Sequence, residues 1–317
     1  MTSMLIEKPV PRPRKKFFEK PRRPSWDEEP SKTTSALKAV VLTLVVIAIV
    51  VPLWTVVVTS LSTQGAIDRA GGLVLIPTEL TLRAYEQIFA GGVVTRAVGV
   101  SVFVTTVGTA ISLSTTVLGA YALSKPTMVF HRPILFLLLI TMFFGAGIIP
   151  TYLLVSNLGL INSLWALILP TSISAFNVII MRSFFMNIDQ EVLDSARIDG
   201  AGEWRTLVTM VLPMSKAVIA VVALFYGVGY WNSFFNAMLY LNDNSLWPLQ
   251  LVLRSYVLQG TAMSGNELAQ YADGGGAIAG LAVQMAVVVL ALVPVLAVYP
   301  FVQRHFKSGV MIGAVKG

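Results

Sequence analysis

The chain has no cysteine and only two histidines, His131 and His305, among its 317 residues. Disulfides and thiolate metal sites are thereby excluded, and the two histidines sit in separate basic segments rather than in a ligand cluster. Charge is scarce as well, with Asp, Glu, Lys and Arg together at 12%. No Asp, Glu, Lys or Arg falls in the middle of a long apolar run, which counts against proton-coupled carriers, since these use ionisable groups inside the membrane. A GxxxxGK[ST] phosphate loop is missing, so ATP would have to be handled by another polypeptide. A membrane-embedded enzyme is disfavoured because no apolar run carries an acid, base or metal set.

What is present is apolar. Hydrophobic residues make up 55% of the chain and its mean hydropathy is +0.74, the composition of an integral membrane protein. A bilayer core needs about 20 apolar residues per helix. Six runs qualify: Ala39 to Leu61, Ala97 to Leu123, Pro133 to Leu158, Leu164 to Met181, Ala217 to Leu241 and Ala277 to Val302. The expected fold class is all-α, a polytopic membrane protein with six transmembrane helices. Thr, Ser and Gly in the second run permit close helix approach. Gly145, Gly147 and Pro150 interrupt the third, where a kink beside a cavity is expected, and Pro170 lies inside the fourth. Between the first two runs, Leu82, Tyr85 and Phe89 share one helical face that Gly91-Gly92 ends, which predicts a short helix lying against the outer surface.

The net charge of +7 does not point to nucleic acid, because ten of the 23 Lys and Arg residues lie in residues 1–38, interleaved with Pro and acids. That segment reads as a disordered basic cytoplasmic tail and a positive-inside signal, with a contact to membrane lipid or a partner as the alternative. It is too long and Pro-rich for the start of a signal peptide, and it is expected to stay attached. Alternating the loops puts Arg69, Arg83, Arg96 and Arg254 outside and the other nineteen of the 23 inside. Both termini are then cytoplasmic, and Asn242 to Gly276 is a long outer segment.

The most densely charged run between apolar blocks is Asn187 to Pro213, within a cytoplasmic loop of residues 183–213. Asp189 is placed as an N-cap, Glu191 and Asp194 suit the first turns of a helix, and Gly200 supplies its stop. A second short helix is predicted from Glu203 toward Pro213, with Trp204, Leu207, Val208 and Val211 recurring at helical spacing to pack back on the membrane domain. The residues Asp194, Ser195, Ala196, Arg197, Ile198, Asp199, Gly200 and Ala201, followed by Met210-Val211-Leu212-Pro213, resemble the EAA signature of ABC importer permeases. Asp194 and Ser195 stand where that signature has Glu and Ala, and Met210 stands where Ile is usual. The resemblance implies that Asp194, Ser195, Ala196, Arg197, Asp199, Gly200 and Ala201 couple the chain to an ATPase. The alternative is a plain connector between two spans.

Polar and aromatic groups inside the spans can line a path for a polar solute, with aromatic faces for sugar rings. The richest group is Tyr226, Tyr230, Trp231, Asn232, Ser233 and Asn236 in the fifth run, joined by Asn177 in the fourth and Gln284 in the sixth. The alternative for each is interhelical hydrogen bonding that only fixes packing. Gly147-Ile148-Ile149-Pro150-Thr151-Tyr152, Tyr230 to Phe235, and the Gly-rich tail from Gly309 to Gly317 resemble the MalG-like permeases of carbohydrate importers, closest to those for oligosaccharides of plant polysaccharides. The resemblance implies a type I ABC importer permease fold, with residues 39–303 as the permease domain and 304–317 as a cytoplasmic tail docking between ATPase subunits. It also implies residence in the bacterial cytoplasmic membrane. The partners it implies are a second homologous permease, two ATPase subunits and an extracytoplasmic sugar-binding protein. No cofactor is expected on this chain, ATP and Mg being held by the ATPase subunits. The rival function is a carrier or channel that needs no ATPase.

Overall fold

The computed structural model describes residues 31–90, 92–258 and 280–313. The basic tail over residues 1–30, Gly91, the outer segment over 259–279 and the last four residues lie outside the described residues. Among the described residues the structure is helical, with one isolated antiparallel bridge between Ser62 and Leu80. The chain divides at Pro52 into two compact units. The first unit contributes the opening turns of α1 (Lys32–Ser60), which begins before the expected Ala39, and every residue described in it is exposed. An apolar helix with no polar face is the form a lipid-facing span takes.

The second unit is built around α4 (Val93–Ser124). Its buried positions, Ala97, Ser101, Val104, Gly108, Ser112, Thr116, Ala120 and Leu123, recur every three or four residues. That stripe is mostly small, which lets α12 (Lys216–Trp231) and α8 (Ala175–Met186) come close against it. Two apolar clusters result. One joins α4, α8 and α12 through Val104, Leu167, Ile168, Met181, Val211 and Val222. The other lies around Val58, Ile88, Trp231, Leu249, Val252 and Val287.

Ahead of α4 stand α2 (Gln64–Ala70), capped by the Thr63 hydroxyl, and α3 (Arg83–Ala90). The short helix expected near Leu82 is α3, but its buried face is Ala84 and Ile88, while Leu82 and Phe89 are exposed. Tyr85 turns its hydroxyl to Ser60 Oγ at 2.9 Å, and this bond fixes the rotation of the helix.

Three spans are broken. The third is α5 (His131–Phe143) and α6 (Ile148–Asn157), set at 119° to each other, a far sharper break than the expected kink. Gly147 sits in it at φ 85°, where a Cβ would be strained. The fourth is α7 (Trp165–Ile168), a 3₁₀ turn at Leu169–Thr171 that holds Pro170, and then α8 after a 51° bend. The fifth is α12 followed by α13 (Phe235–Tyr240), interrupted at Asn232 to Phe234. Asn232 ends α12 with its own side chain, Nδ2 donating to the Val228 carbonyl at 3.0 Å. With α1, α4 and the final helix, these broken pairs make six spans.

Between α8 and α12 lie α9 (Gln190–Ile198), α10 (Glu203–Thr206), a π turn at Leu207–Val211 and α11 (Leu212–Met214). The last two elements are α14 (Leu249–Leu258) and α15 (Gly280–Gly313). Helical backbone in α15 continues past the expected end of the span at Val302, through much of what reads in the sequence as a tail.

Candidate functional site

Asp189 caps α9, its carboxylate accepting from the Glu191 N–H at 3.1 Å. At the other end Gly200 adopts φ 76°. Its N–H donates to the Arg197 carbonyl at 3.0 Å and the Ala201 N–H donates to the Ala196 carbonyl at 2.9 Å. These two bonds form a Schellman stop, in which the left-handed residue satisfies carbonyls that the helix end would leave bare. Ala196 is buried under this turn and Ala201 is half-buried, whereas Asp194, Ser195, Arg197, Asp199 and Gly200 are exposed. Small residues at 196 and 201 thus let the turn close, and the polar ones face outward. Arg197 and Asp194 pair at 2.9 Å on that outer face.

The second helix of the loop is split by its π turn, which lies just before Pro213. A proline ring cannot sit against the carbonyl four residues back, and the wider turn moves that carbonyl away. The expected apolar stripe therefore divides. Leu207 and Val211 are buried, while Trp204 is 68% and Val208 44% exposed. Ile198, at the end of α9, is 87% exposed. Two large apolar side chains thus flank the Gly200 turn with nothing over them among the described residues. At Ser215 the chain turns by 85° into α12.

A clamp that the sequence reading missed ties this loop to α4. The Tyr121 hydroxyl donates to Glu203 Oε2 at 2.7 Å, and Lys125 Nζ forms an ion pair with the same carboxylate. Lys125 also donates to the Tyr121 hydroxyl at 3.0 Å and stands 4.1 Å from the centre of its ring. Burial, and after it the Arg197 guanidinium, push the Lys125 ammonium below its ordinary value. The signal available in the sequence was a lone lysine just past a long apolar run, facing a glutamate at the start of a helix.

The residues expected along a path are not gathered on one surface. Tyr226, Tyr230, Trp231 and Asn177 are buried, Ser233, Asn236 and Gln284 are half-buried, and Asn232 is exposed. The two tyrosines close the break in the fourth span. Tyr230 donates to the Ile168 carbonyl at 3.1 Å and bonds Ser112 Oγ at 2.8 Å. Tyr226 accepts from the Ser174 N–H at 3.0 Å and bonds Thr116 Oγ1 at 2.7 Å. Groups freed by the 3₁₀ turn at Pro170 are satisfied by neighbouring side chains, as a broken span in lipid requires. Trp231 donates to the Ala291 carbonyl of α15 at 3.0 Å. The polar atoms of these three aromatics therefore serve interhelical packing. Among the described residues, the side chains of Ser233 and Asn236 make no hydrogen bond.

The family described as binding-protein-dependent transport system inner membrane component matches residues 122–312. The chain belongs to that family. It is 45% identical to the polygalacturonan/rhamnogalacturonan transport system permease protein YtcP of Bacillus subtilis (strain 168) over 244 residues, covering 77% of this chain and 85% of the relative. It is 42% identical to protein LplC of the same organism, over 84% of this chain and 90% of that one. A solved bacterial ABC transporter involved in the import of the acidic polysaccharide alginate has a chain that matches with a TM-score of 0.82 and 29% identity, over 88% of this chain and 100% of its own. The fold is that of a type I ABC importer permease.

Proposed function

We propose that this chain forms half of the translocation path of an importer for oligosaccharides, paired with a second homologous permease and served by two ATPase subunits and an extracytoplasmic sugar-binding protein. The family's own description, a binding-protein-dependent component, supports the last partner. The substrate class is supported by the relatives, whose names speak of polygalacturonan and rhamnogalacturonan in one case and of the acidic polysaccharide alginate in another. Both termini lie in the cytoplasm, which the charge split of nineteen to four supports.

The observation that carries the ATPase assignment is the Gly200 turn. It presents outward Ile198, at the end of the capped helix α9, and Trp204 of α10, the helix clamped to α4 through Glu203. Exposed large apolar groups on a rigid mount are the form a docking anchor takes. Asp194, Ser195, Arg197 and Asp199 form the polar rim of this surface, and Ala196 and Ala201 hold the turn. Movement of the ATPase subunits reaches the spans through α10, the π turn and the 85° bend at Ser215. Along the spans, Ser233 and Asn236 keep free polar groups for the solute, beside Asn177, Asn232 and Gln284, with Tyr226, Tyr230 and Trp231 holding the walls.

Reconstitution of the complex tests this reading. ATP hydrolysis is measured with and without the binding protein loaded with oligosaccharide, for the parent and for Ile198→Glu. The parent hydrolyses ATP faster with loaded binding protein, and Ile198→Glu, altered at an exposed position, inserts normally but fails to retain the ATPase subunits. Retention of the ATPase by Ile198→Glu with undiminished stimulation would sink the docking assignment.

A further inference from the structure

At the end of the fifth span away from the 187–213 loop, the break at Asn232 to Phe234 faces α14. Gln250 and Arg254 are four residues apart on α14 and therefore on one face. Gln250 Nε2 donates to Asn232 Oδ1 at 3.4 Å. The Arg254 guanidinium lies over the Phe234 ring, 5.5 Å from its centre, and one of its nitrogens contacts the Met238 sulfur. Phe234 is 39% and Met238 42% exposed, so the cluster is open on one side.

Arg254 has no carboxylate partner among the described residues. Of the other arginines assigned to the same side, Arg69 is paired with Glu79, while Arg83 and Arg96 form no ion pair among the described residues and stand over no aromatic ring there. A half-buried guanidinium set over an aromatic ring, with only a soft sulfur in contact among the described residues, keeps most of its donors unused. Such a fork matches a carboxylate in two-point contact, the ring of Phe234 offers an apolar face to a pyranose, and the amides of Asn232 and Gln250 suit its hydroxyls. We infer that Arg254, with Phe234, Gln250 and Asn232, is a specificity site in the path for the carboxylate of an acidic, uronic-acid-bearing oligosaccharide.

The inference rests on the reading of this chain as an oligosaccharide permease, and its test separates the two. The complete complex in proteoliposomes is given trigalacturonate or a neutral trisaccharide, with saturating binding protein and ATP. Arg254→Gln is expected to slow trigalacturonate uptake at least about tenfold, the loss expected when a charge-assisted contact is removed. Arg254→Lys, which keeps the charge and loses the fork, restores part of the rate. Basal ATP hydrolysis and the melting temperature of the complex stay at the parent value in both variants. Uptake by Arg254→Gln equal to the parent overturns the site, as does a loss that follows falling complex stability and is not rescued by Lys. A parent complex that moves the neutral sugar but not trigalacturonate also overturns it while leaving the permease reading intact. A parent that moves no oligosaccharide refutes the permease reading, and the site with it.

Discussion

The ring of Tyr230 lies so close to Gly108 that a Cβ on that glycine would stand 2.8 Å from the ring carbon bearing the hydroxyl. The ring has no freedom to retreat, because its hydroxyl is already held by Ser112 and the Ile168 carbonyl. Gly108→Ala is therefore expected to destabilise the purified complex by about 1 to 3 kcal/mol, the usual cost of overpacking. Tyr230→Phe keeps the ring, loses two hydrogen bonds and costs less, about 1 kcal/mol. Thermal unfolding of the two variants in the same detergent checks both the sign and the order.

What the sequence made legible follows from where the information lies. The stop at Gly200 and the cap at Asp189 are local, set by residue type within a turn or two, and each is present where expected. Tyr226 and Tyr230 were visible as polar aromatics in a span, but their bonds to Ser174 and Ile168 depend on a break 52 and 62 residues away. No periodicity reports that. Trp204 was assigned to the buried face on an ideal helical repeat, and the π turn before Pro213 alters that repeat. Arg254 read as a loop charge because its meaning comes from Phe234 and Asn232 across the chain reversal.

Gly200 separates conformation from space. At φ 76° an L side chain is strained, yet among the described residues nothing beyond its chain neighbours lies within 4 Å of where a Cβ would be. Asn tolerates this region better than Ala, and a β-branched residue tolerates it least. ATP-driven uptake is expected to fall in the order Gly200→Asn, Gly200→Ala, Gly200→Val, with insertion of the spans unaffected. Uptake abolished equally by all three would mean that a partner backbone occupies the open space, whereas uptake retained by Val would remove the turn from the coupling path.

Acid should loosen the segment joining α1 to α3. Glu79 accepts from Thr63 at 2.7 Å and pairs with Arg69, and these contacts, Thr63 first and then Arg69, hold its carboxyl below its ordinary value of 4.5. A carboxyl depressed in the folded state contributes stability above its unfolded value, and this is lost as pH falls through the lower folded value. Amide exchange over Ala66 to Gly72, corrected for its intrinsic pH dependence, should stay flat from neutral pH down to about 4.5 and rise below that. Arg69→Gln, which brings the folded value closer to the unfolded one, should shrink the rise and end it at a higher pH. A profile that does not move with Arg69→Gln would remove Glu79 as its cause.

The Cys-free chain allows a direct reading of topology. A single cysteine in place of Ser31, the first described residue, is expected to resist an impermeant thiol reagent in intact cells and to react once the membrane is opened. A cysteine at Asn244, exposed and in the segment that the charge alternation assigns to the outside, should react in both conditions. Reaction at position 31 in intact cells would reverse the orientation.

Glu203 connects the loop to α4 through one carboxylate, and its side chain is 63% exposed. An ion pair so accessible contributes about 0 to 1 kcal/mol to stability, because solvent screens it and both side chains lose freedom. Its value is positional: Tyr121 and Lys125 hold the first turn of α10 against the end of α4, so displacement of the loop must carry α4 with it. Glu203→Gln, which keeps a hydrogen bond to Tyr121 but loses the charge, should melt within about 1 kcal/mol of the parent. Lys125→Met should do the same, and the double variant should cost no more than the larger single change, since the two groups act as one contact. Transport should respond differently. If the clamp transmits movement, each variant continues to hydrolyse ATP while moving less oligosaccharide per ATP, and the double variant is no worse than either single one. Equal ratios of uptake to hydrolysis in parent and variants would show that force passes to the spans only through the bend at Ser215.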